Sequence, residues 1–151
     1  MRPQPWTEIL RVGTPKPSFS ISARPHYGVV PASDPEWFDV LLCADDGFSG
    51  EIETCWFTED LVVLAAGLAD LALTAGQPRS FVAGGDRAAE VRFTASTAVP
   101  DGGQIAVEVW LTASGDDPFP ALTLLLFGER GEFSGAAEGL ERLLTSSARG
   151  A

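Results

Sequence analysis

Hydrophobic and polar residues alternate along two neighbouring segments in the first half of the chain. Residues 37–43 and 50–57 both show this period of two, which is typical of half-buried β-strands. The segment Asp45-Asp46-Gly47 between them favours a turn, so the two segments predict an antiparallel hairpin. We expect one face to enter the core, with Leu42 opposite Ile52; that face holds Phe38, Val40, Leu42, Ile52, Thr54 and Trp56.

A helix is predicted directly after the hairpin. Thr58 is a good N-cap, and Glu59 and Asp60 suit the positive end of a helix dipole. Apolar residues then continue to about Thr74 on nearly every side of the helix, and Gly76 follows as a stop signal. Such a helix is expected to be buried on two sides.

The second half predicts four more strands and a closing helix. The strands are expected at 79–83, 88–97, 104–113 and 119–128, and the helix at about 135–145. The run Leu122–Phe127, apolar except for Thr123, indicates a central strand that is covered on both faces. The order ββαββββα predicts an α+β fold, an antiparallel sheet of about six strands with two helices packed on it.

The amino-terminal residues 1–35 hold seven prolines, which interrupt regular structure. We interpret them as a proline-rich arm that adds a short strand, with extended pieces at 7–12 and 18–23. Residues 36–147 then form a single α+β domain, because 151 residues with 45% hydrophobic content suit one core.

Composition narrows the possible functions and locations. No apolar run approaches the ~20 residues of a membrane span, and a signal peptide is absent, so we predict a cytoplasmic protein without membrane contact. The net charge of −11 argues against nucleic-acid binding. The segment from Pro25 to Pro78 holds ten acidic residues and no Lys or Arg.

The reactive residue types do not assemble into a catalytic motif. The hairpin register places Cys43 opposite Glu51 and Cys55 opposite Asp39, too far apart for a disulfide. His26, the only histidine, has no assignable nucleophile beside it. The spacing of the hairpin carboxylates is unlike that of calcium loops. We therefore expect no enzyme activity, no cofactor and no metal.

Negative charge and aromatic residues share the outer face of the predicted hairpin. Three interpretations are open: a solvated strand face, a docking surface that steers a basic partner protein, or a face that the proline-rich arm covers. The candidate partner-binding residues are Trp37, Asp39, Asp45, Asp46, Glu51 and Glu53.

The string WFDVLLCADDGFSGEIETCWFTEDLVVLAAGLADL resembles the WapI-type bacterial immunity proteins and related uncharacterised actinobacterial proteins. It has their aromatic-rich strand, a GFSG-like turn, a second strand bearing a Glu, and a helix opening with T-x-x-L. The similarity extends over about residues 36–145. It implies a small cytoplasmic antitoxin that occludes a toxin domain, often a basic nuclease, without chemistry of its own.

Three functions are consistent with these features. The leading hypothesis is a non-enzymatic immunity protein whose acidic face meets a basic toxin domain. The first alternative is a scaffold protein that forms a homodimer through the apolar helix at 61–73. The second is a small-molecule binder with its pocket between sheet and arm.

Overall fold

The computed structural model describes residues 5–13, 17–25, 37–45, 49–73, 79–84, 88–95, 104–113 and 122–149. Eight strands and two helices lie in these ranges. In chain order they are β1 (Thr7–Val12), β2 (Ser18–Pro25), β3 (Trp37–Asp45), β4 (Ser49–Phe57), α1 (Thr58–Leu73), β5 (Arg79–Gly84), β6 (Glu90–Ala95), β7 (Gln104–Thr112), β8 (Leu122–Glu129) and α2 (Arg130–Arg149).

The strands form two antiparallel sheets. The first sheet has the order β1-β2-β3-β4 and the second the order β5-β6-β7-β8. The predicted α+β class is therefore confirmed, whereas the single sheet of about six strands is wrong. Helix α1 follows β4 without a loop and ends the first sheet, so the strands after it pair only with one another.

The segment interpreted as a proline-rich arm supplies two complete strands. β1 pairs with β2, and β2 continues along the whole of β3, from Ser18 opposite Asp45 to Pro25 opposite Phe38. Inward-facing residues of both strands are buried, among them Leu10, Phe19 and Ile21. The amino-terminal segment is thus an integral part of the first sheet.

The inner faces of the two sheets share one hydrophobic core. Phe93 of β6 packs edge-on against Phe19 of β2, with ring centroids 6.0 Å apart. The indole of Trp56 donates a hydrogen bond of 2.8 Å to the backbone carbonyl of Ala89. The predicted inward set from the hairpin agrees with this arrangement: Phe38, Val40, Leu42 and Trp56 are buried, with Ile52 and Thr54 half-buried.

Each helix packs against the edge strand of the sheet that it does not follow. Helix α1 comes after the first sheet and contacts β5, whereas α2 comes after the second sheet and contacts β1. Gly67 allows the close approach of α1, because a Cβ there would lie 2.4 Å from the ring of Phe81. The two helices also contact each other.

The two halves of the chain repeat one structural unit of four strands and a helix. Gly13 after β1 and Gly84 at the end of β5 occupy equivalent positions, and both adopt positive φ, 82° and 85°. The buried faces of the helices correspond as well when the helices are aligned at their starts. Four buried positions correspond in this alignment: Leu61 with Phe133, Leu64 with Ala136, Ala65 with Ala137, and Leu68 with Leu140. No repeat is recognisable in the sequence itself.

Neither helix in the described ranges has the length and apolar content needed to cross a membrane.

Candidate functional site

The outer face of the first sheet carries the predicted acidic residues. Asp39, Glu51 and Glu53 lie on the face opposite the core, as the hairpin pattern predicted, with Cys43 opposite Glu51 and Cys55 opposite Asp39. Asp39 is half-buried, whereas Glu51 and Glu53 are exposed.

A cation from β2 lies among these carboxylates. The Nε atom of Arg24 is 3.2 Å from Oδ2 of Asp39, and its Nη2 atom is 3.9 Å from Oε1 of Glu53. The Arg24 guanidinium also lies 4.1 Å from the ring centroid of Trp6. The acidic face is therefore partly neutralised and partly covered by residues from the amino-terminal segment.

Two of the predicted docking residues lie wholly or partly outside the described residues. Asp46 is one of them, and so is the side chain of Trp37, although the backbone of Trp37 begins β3. Asp45 is half-buried at the other end of that strand. Within the described part of the chain, the predicted docking surface is therefore represented by Asp39, Asp45, Glu51 and Glu53.

A shallow concavity of about 350 Å³ lies on the same face, lined by residues including Arg11, Ser20, Cys43 and Glu51. Burial raises the pKa of the Cys43 thiol, and the neighbouring charge of Glu51 raises it further. Burial also raises the pKa of Cys55, with a smaller contribution from Asp39. Both thiols are free. Within the described ranges, no three His, Cys, Asp or Glu side chains are grouped to hold a metal ion.

The outer face of the second sheet has a different character. Large apolar side chains project from it into solvent: Trp110 is 36% exposed, Leu125 50% and Phe127 53%. Polar residues stand beside them on the same side of the strands. We call this surface the aromatic face; its residues are Arg92, Thr94, Glu108, Trp110, Thr123, Leu125 and Phe127.

Strand register fixes the arrangement of the aromatic face. Trp110 lies between Arg92 of β6 and Thr123 of β8, and Glu108 lies between Thr94 and Leu125 in the next row. Phe127 is four residues beyond Thr123, the partner of Trp110, so the backbone positions of Trp110 and Phe127 are about 13 Å apart along the strand direction. The face thus presents two aromatic platforms with a polar and apolar strip between them.

Two contacts hold the indole of Trp110. Its Nε1 atom donates a hydrogen bond to the carboxylate of Glu108, two residues away on the same strand. The guanidinium of Arg92 lies 5.8 Å from its ring centroid, within the range of a cation–π interaction. Glu108 and Arg92 therefore restrict the indole to a defined position on the sheet surface.

The sequence pattern did not identify this site. The run Leu122–Phe127 predicted a central strand with both faces covered, and this prediction is wrong because β8 is the edge of its sheet. Its inward residues Leu124 and Leu126 are buried, but its outward residues Leu125 and Phe127 meet solvent. The clean alternation of Ile105, Val107, Val109 and Leu111 was the one signal that could have placed Trp110 outside.

Comparison of the structural repeats shows how far the two outer faces have diverged. Trp110 occupies the place of Cys43, and Arg92 occupies the place of Ser20. Leu125 likewise stands where the first sheet has Glu53. The same scaffold therefore presents an acidic face on one sheet and an aromatic face on the other.

The fold is similar to that of plant proteins of known structure. The plant transcriptional regulator PBF-2 has a TM-score of 0.50 and 7% identity, over 95% of this chain and 82% of that chain. The WHY1 protein of Arabidopsis thaliana has a TM-score of 0.53 and 9% identity, over 99% and 89% of the two chains. The chain matches no protein-family model and no curated protein.

These similarities correct the functional predictions from sequence. A fold shared over nearly the whole chain with a transcriptional regulator overturns the expected immunity function and its basic toxin partner. The same similarity contradicts the expectation, drawn from net charge, that the protein has no nucleic-acid partner, because a similar fold occurs in a plant transcriptional regulator. The resemblance to WapI-type proteins stays a prediction.

Proposed function

We propose that the protein binds single-stranded nucleic acid on the aromatic face. The observation that carries the proposal is the exposure of Trp110 and Phe127 on one side of an antiparallel sheet. Aromatic side chains on an open sheet are platforms on which unpaired bases stack. The fold similarity to a transcriptional regulator supports the same class of ligand, because regulation of transcription acts on nucleic acid.

Single strands fit this face better than duplexes do. In a duplex the base faces are stacked on one another, so a protein ring cannot reach them, whereas an unpaired base offers a free face. Duplex binding depends on many phosphate contacts from Lys and Arg. This chain has a net charge of −11, and Arg92 beside Trp110 is the cation among the residues of the aromatic face.

Stacking supplies enough free energy without a basic surface. A base on an aromatic side chain contributes about 1–3 kcal/mol, so two such bases give about 2–6 kcal/mol. Arg92, placed beside Trp110, can contact a neighbouring phosphate while it holds the indole. Binding of this kind involves no catalytic step.

The proposal is tested with a fluorescein-labelled oligothymidylate of about 12 nucleotides, long enough to cover one such face. Fluorescence anisotropy should show saturable binding by the wild-type protein. Trp110→Ala and Phe127→Ala should each weaken binding by about 5- to 100-fold, the loss of one stacked base.

Phe57→Ala is the matched control. Phe57 is also an exposed aromatic residue at 48%, but it ends β4 on the outer face of the first sheet. Its removal should leave the affinity unchanged. Absence of binding by the wild-type protein, or equal losses for Phe57→Ala and Trp110→Ala, would refute the aromatic face as the site.

A further inference from the structure

Glu108 occupies the centre of the aromatic face. It lies on the inner strand β7, with Thr94 of β6 on one side and Leu125 of β8 on the other. Along its own strand the outward neighbours are Ala106 and Trp110. A base that stacks on the Trp110 indole therefore has its edge within reach of the Glu108 carboxylate, about 7 Å along the strand.

An ionised carboxylate at this place selects which part of a nucleotide can lie over it. A carboxylate is an acceptor with about four lone-pair positions, and the indole of Trp110 uses one of them. Phosphate oxygens are repelled by this charge, whereas N–H groups on a base edge are attracted to it. Glu108 thus directs the strand so that bases, rather than the backbone, meet the middle of the sheet.

The bases differ in what they offer to a carboxylate. Guanine carries two adjacent donors, N1–H and the N2 amino group, which match the two carboxylate oxygens. Thymine has its single N3–H between two carbonyl oxygens, and adenine and cytosine place a ring-nitrogen lone pair beside their amino group. In each of these three cases a carboxylate gains one hydrogen bond and meets an electron pair next to it.

We propose that Glu108 makes the aromatic face selective for guanine in single-stranded nucleic acid. Guanine stacks on Trp110 and donates from N1 and N2 to the two oxygens of Glu108. This inference rests on the proposed function, because the base must first be bound by stacking. A good bidentate pair discriminates by about 5- to 100-fold against a base that lacks it.

The test compares three oligonucleotides of equal length by fluorescence anisotropy. One is all thymidine, the second has a central guanosine, and the third has inosine in place of that guanosine. Inosine keeps N1–H and the stacking surface but lacks the N2 amino group. We expect the guanosine strand to bind at least about fivefold more tightly than either of the others.

The matched variant is Glu108→Gln, which preserves the shape and an acceptor for the Trp110 indole. Its amide replaces one acceptor with a donor, so the ratio of the affinity for the guanosine strand to the affinity for oligothymidylate should fall to about one, whatever the affinity for either strand alone. Glu90→Gln, which removes an acid from an adjacent strand of the same sheet, should retain the guanosine preference. Circular dichroism of both variants checks that they are folded.

The outcomes separate the two proposals. If oligothymidylate binds and Trp110→Ala weakens that binding by at least about fivefold, the proposed function stands. Equal affinity for the guanosine and inosine strands, or an unchanged guanosine preference in Glu108→Gln, would then overturn the guanine inference alone. Failure of the wild-type protein to bind any of the three strands would overturn both.

Discussion

At the scale of single residues, the contact between Gly67 and the ring of Phe81 determines how closely α1 packs on the second sheet. The ring of Phe81 stacks on Phe93 at 5.1 Å on one side, and Gly67 of α1 lies against it on another. A methyl group at Gly67 would be 2.4 Å from the ring, well inside contact distance. One hydrogen atom in place of a side chain thus allows α1 to reach the second sheet.

Gly67→Ala should therefore destabilise the protein by about 1–3 kcal/mol, because the core must shift to accept the methyl group. Gly135→Ala is the matched control: Gly135 lies in α2, and a Cβ there meets nothing within 4 Å. That variant should gain up to about 1 kcal/mol, since alanine is the better helix former. Urea unfolding of both variants checks the pair, and equal stabilities would contradict this role of Gly67.

The raised pKa values of Cys43 and Cys55 predict slow thiol chemistry. Burial is the main cause for both residues, and it favours the neutral thiol over the thiolate. Each buried neutral thiol therefore contributes to the free energy of unfolding. This contribution is fully present below the pKa of the unfolded thiol, and it is lost as pH rises through the pKa of the folded thiol.

Iodoacetamide alkylation of the native protein should therefore rise with pH at a higher midpoint than alkylation of the urea-unfolded protein. Cys43→Ser and Cys55→Ser each leave one thiol, so the two residues can be followed separately. A native midpoint at or below the unfolded midpoint for either thiol would show that burial does not control its titration.

At the scale of secondary-structure elements, α1 and α2 share one capping arrangement in their first turns. A carboxylate in the first turn accepts a hydrogen bond from the backbone N–H three residues earlier. Asp60 accepts from Phe57 at 3.0 Å, and Glu132 accepts from Glu129 at 3.0 Å. Because each helix follows a strand without a loop, this bond marks the change from extended to helical backbone.

Asp60→Ala and Glu132→Ala should each lower the free energy of unfolding by about 0.5–2 kcal/mol through loss of the cap. The isosteric changes Asp60→Asn and Glu132→Gln keep an acceptor oxygen and should cost less than half as much. Thermal unfolding followed by circular dichroism measures both pairs. Alanine and isosteric variants of equal stability would indicate that the hydrogen bonds contribute nothing.

Both outer faces of the molecule combine acidic residues with an arginine. The first sheet carries Asp39, Glu51 and Glu53 with Arg24 among them, and the aromatic face holds Glu108 and Arg92 beside Trp110. A single strand bound at the aromatic face, as proposed above, should exchange few counterions, because Arg92 is the cation among the residues of that face. The overall charge of −11 repels a nucleic acid at long range.

Affinity for single strands should consequently depend little on salt. With one phosphate neutralised by Arg92, the log–log slope is about −0.7, so a rise from about 50 to about 500 mM salt weakens binding about fivefold. Arg92→Ala should bring the slope close to zero. Anisotropy titrations across this salt range measure the slope for the wild-type protein and for Arg92→Ala. A wild-type slope steeper than about −3 would require a basic site elsewhere on the protein.

The sequence predicted the parts of the fold that depend on local pattern. The bounds of β1 match the expected 7–12, and α1 starts at the predicted Thr58. The register of Leu42 opposite Ile52 is also as expected, because a slip of one residue would expose the whole apolar set. The closing helix is longer than predicted, Arg130–Arg149 rather than about 135–145, since Gly131, Ser134 and Gly135 near its start are poor helix formers that hide the signal of Phe133.

The residue pattern alone could not predict the candidate site. A largely apolar run such as Leu122–Phe127 occurs both in central strands and in edge strands. Only the neighbouring strands in the fold decide which side of it is covered. The charge of the acidic face on the first sheet was overestimated for a similar reason. Arg24 is distant from Asp39 in sequence but adjacent to it across the β2–β3 pair, so counting charges along the chain missed their neutralisation.

The sequence by itself determined which side of the β3–β4 hairpin faces the core and where α1 begins, because alternation and capping act between residues a few positions apart. The tertiary structure alone decided that the strands divide into two sheets and that Trp110 and Phe127 stand exposed together. That outcome depends on hydrogen bonding between strands that are far apart in the chain, and a local residue pattern does not determine which strands pair.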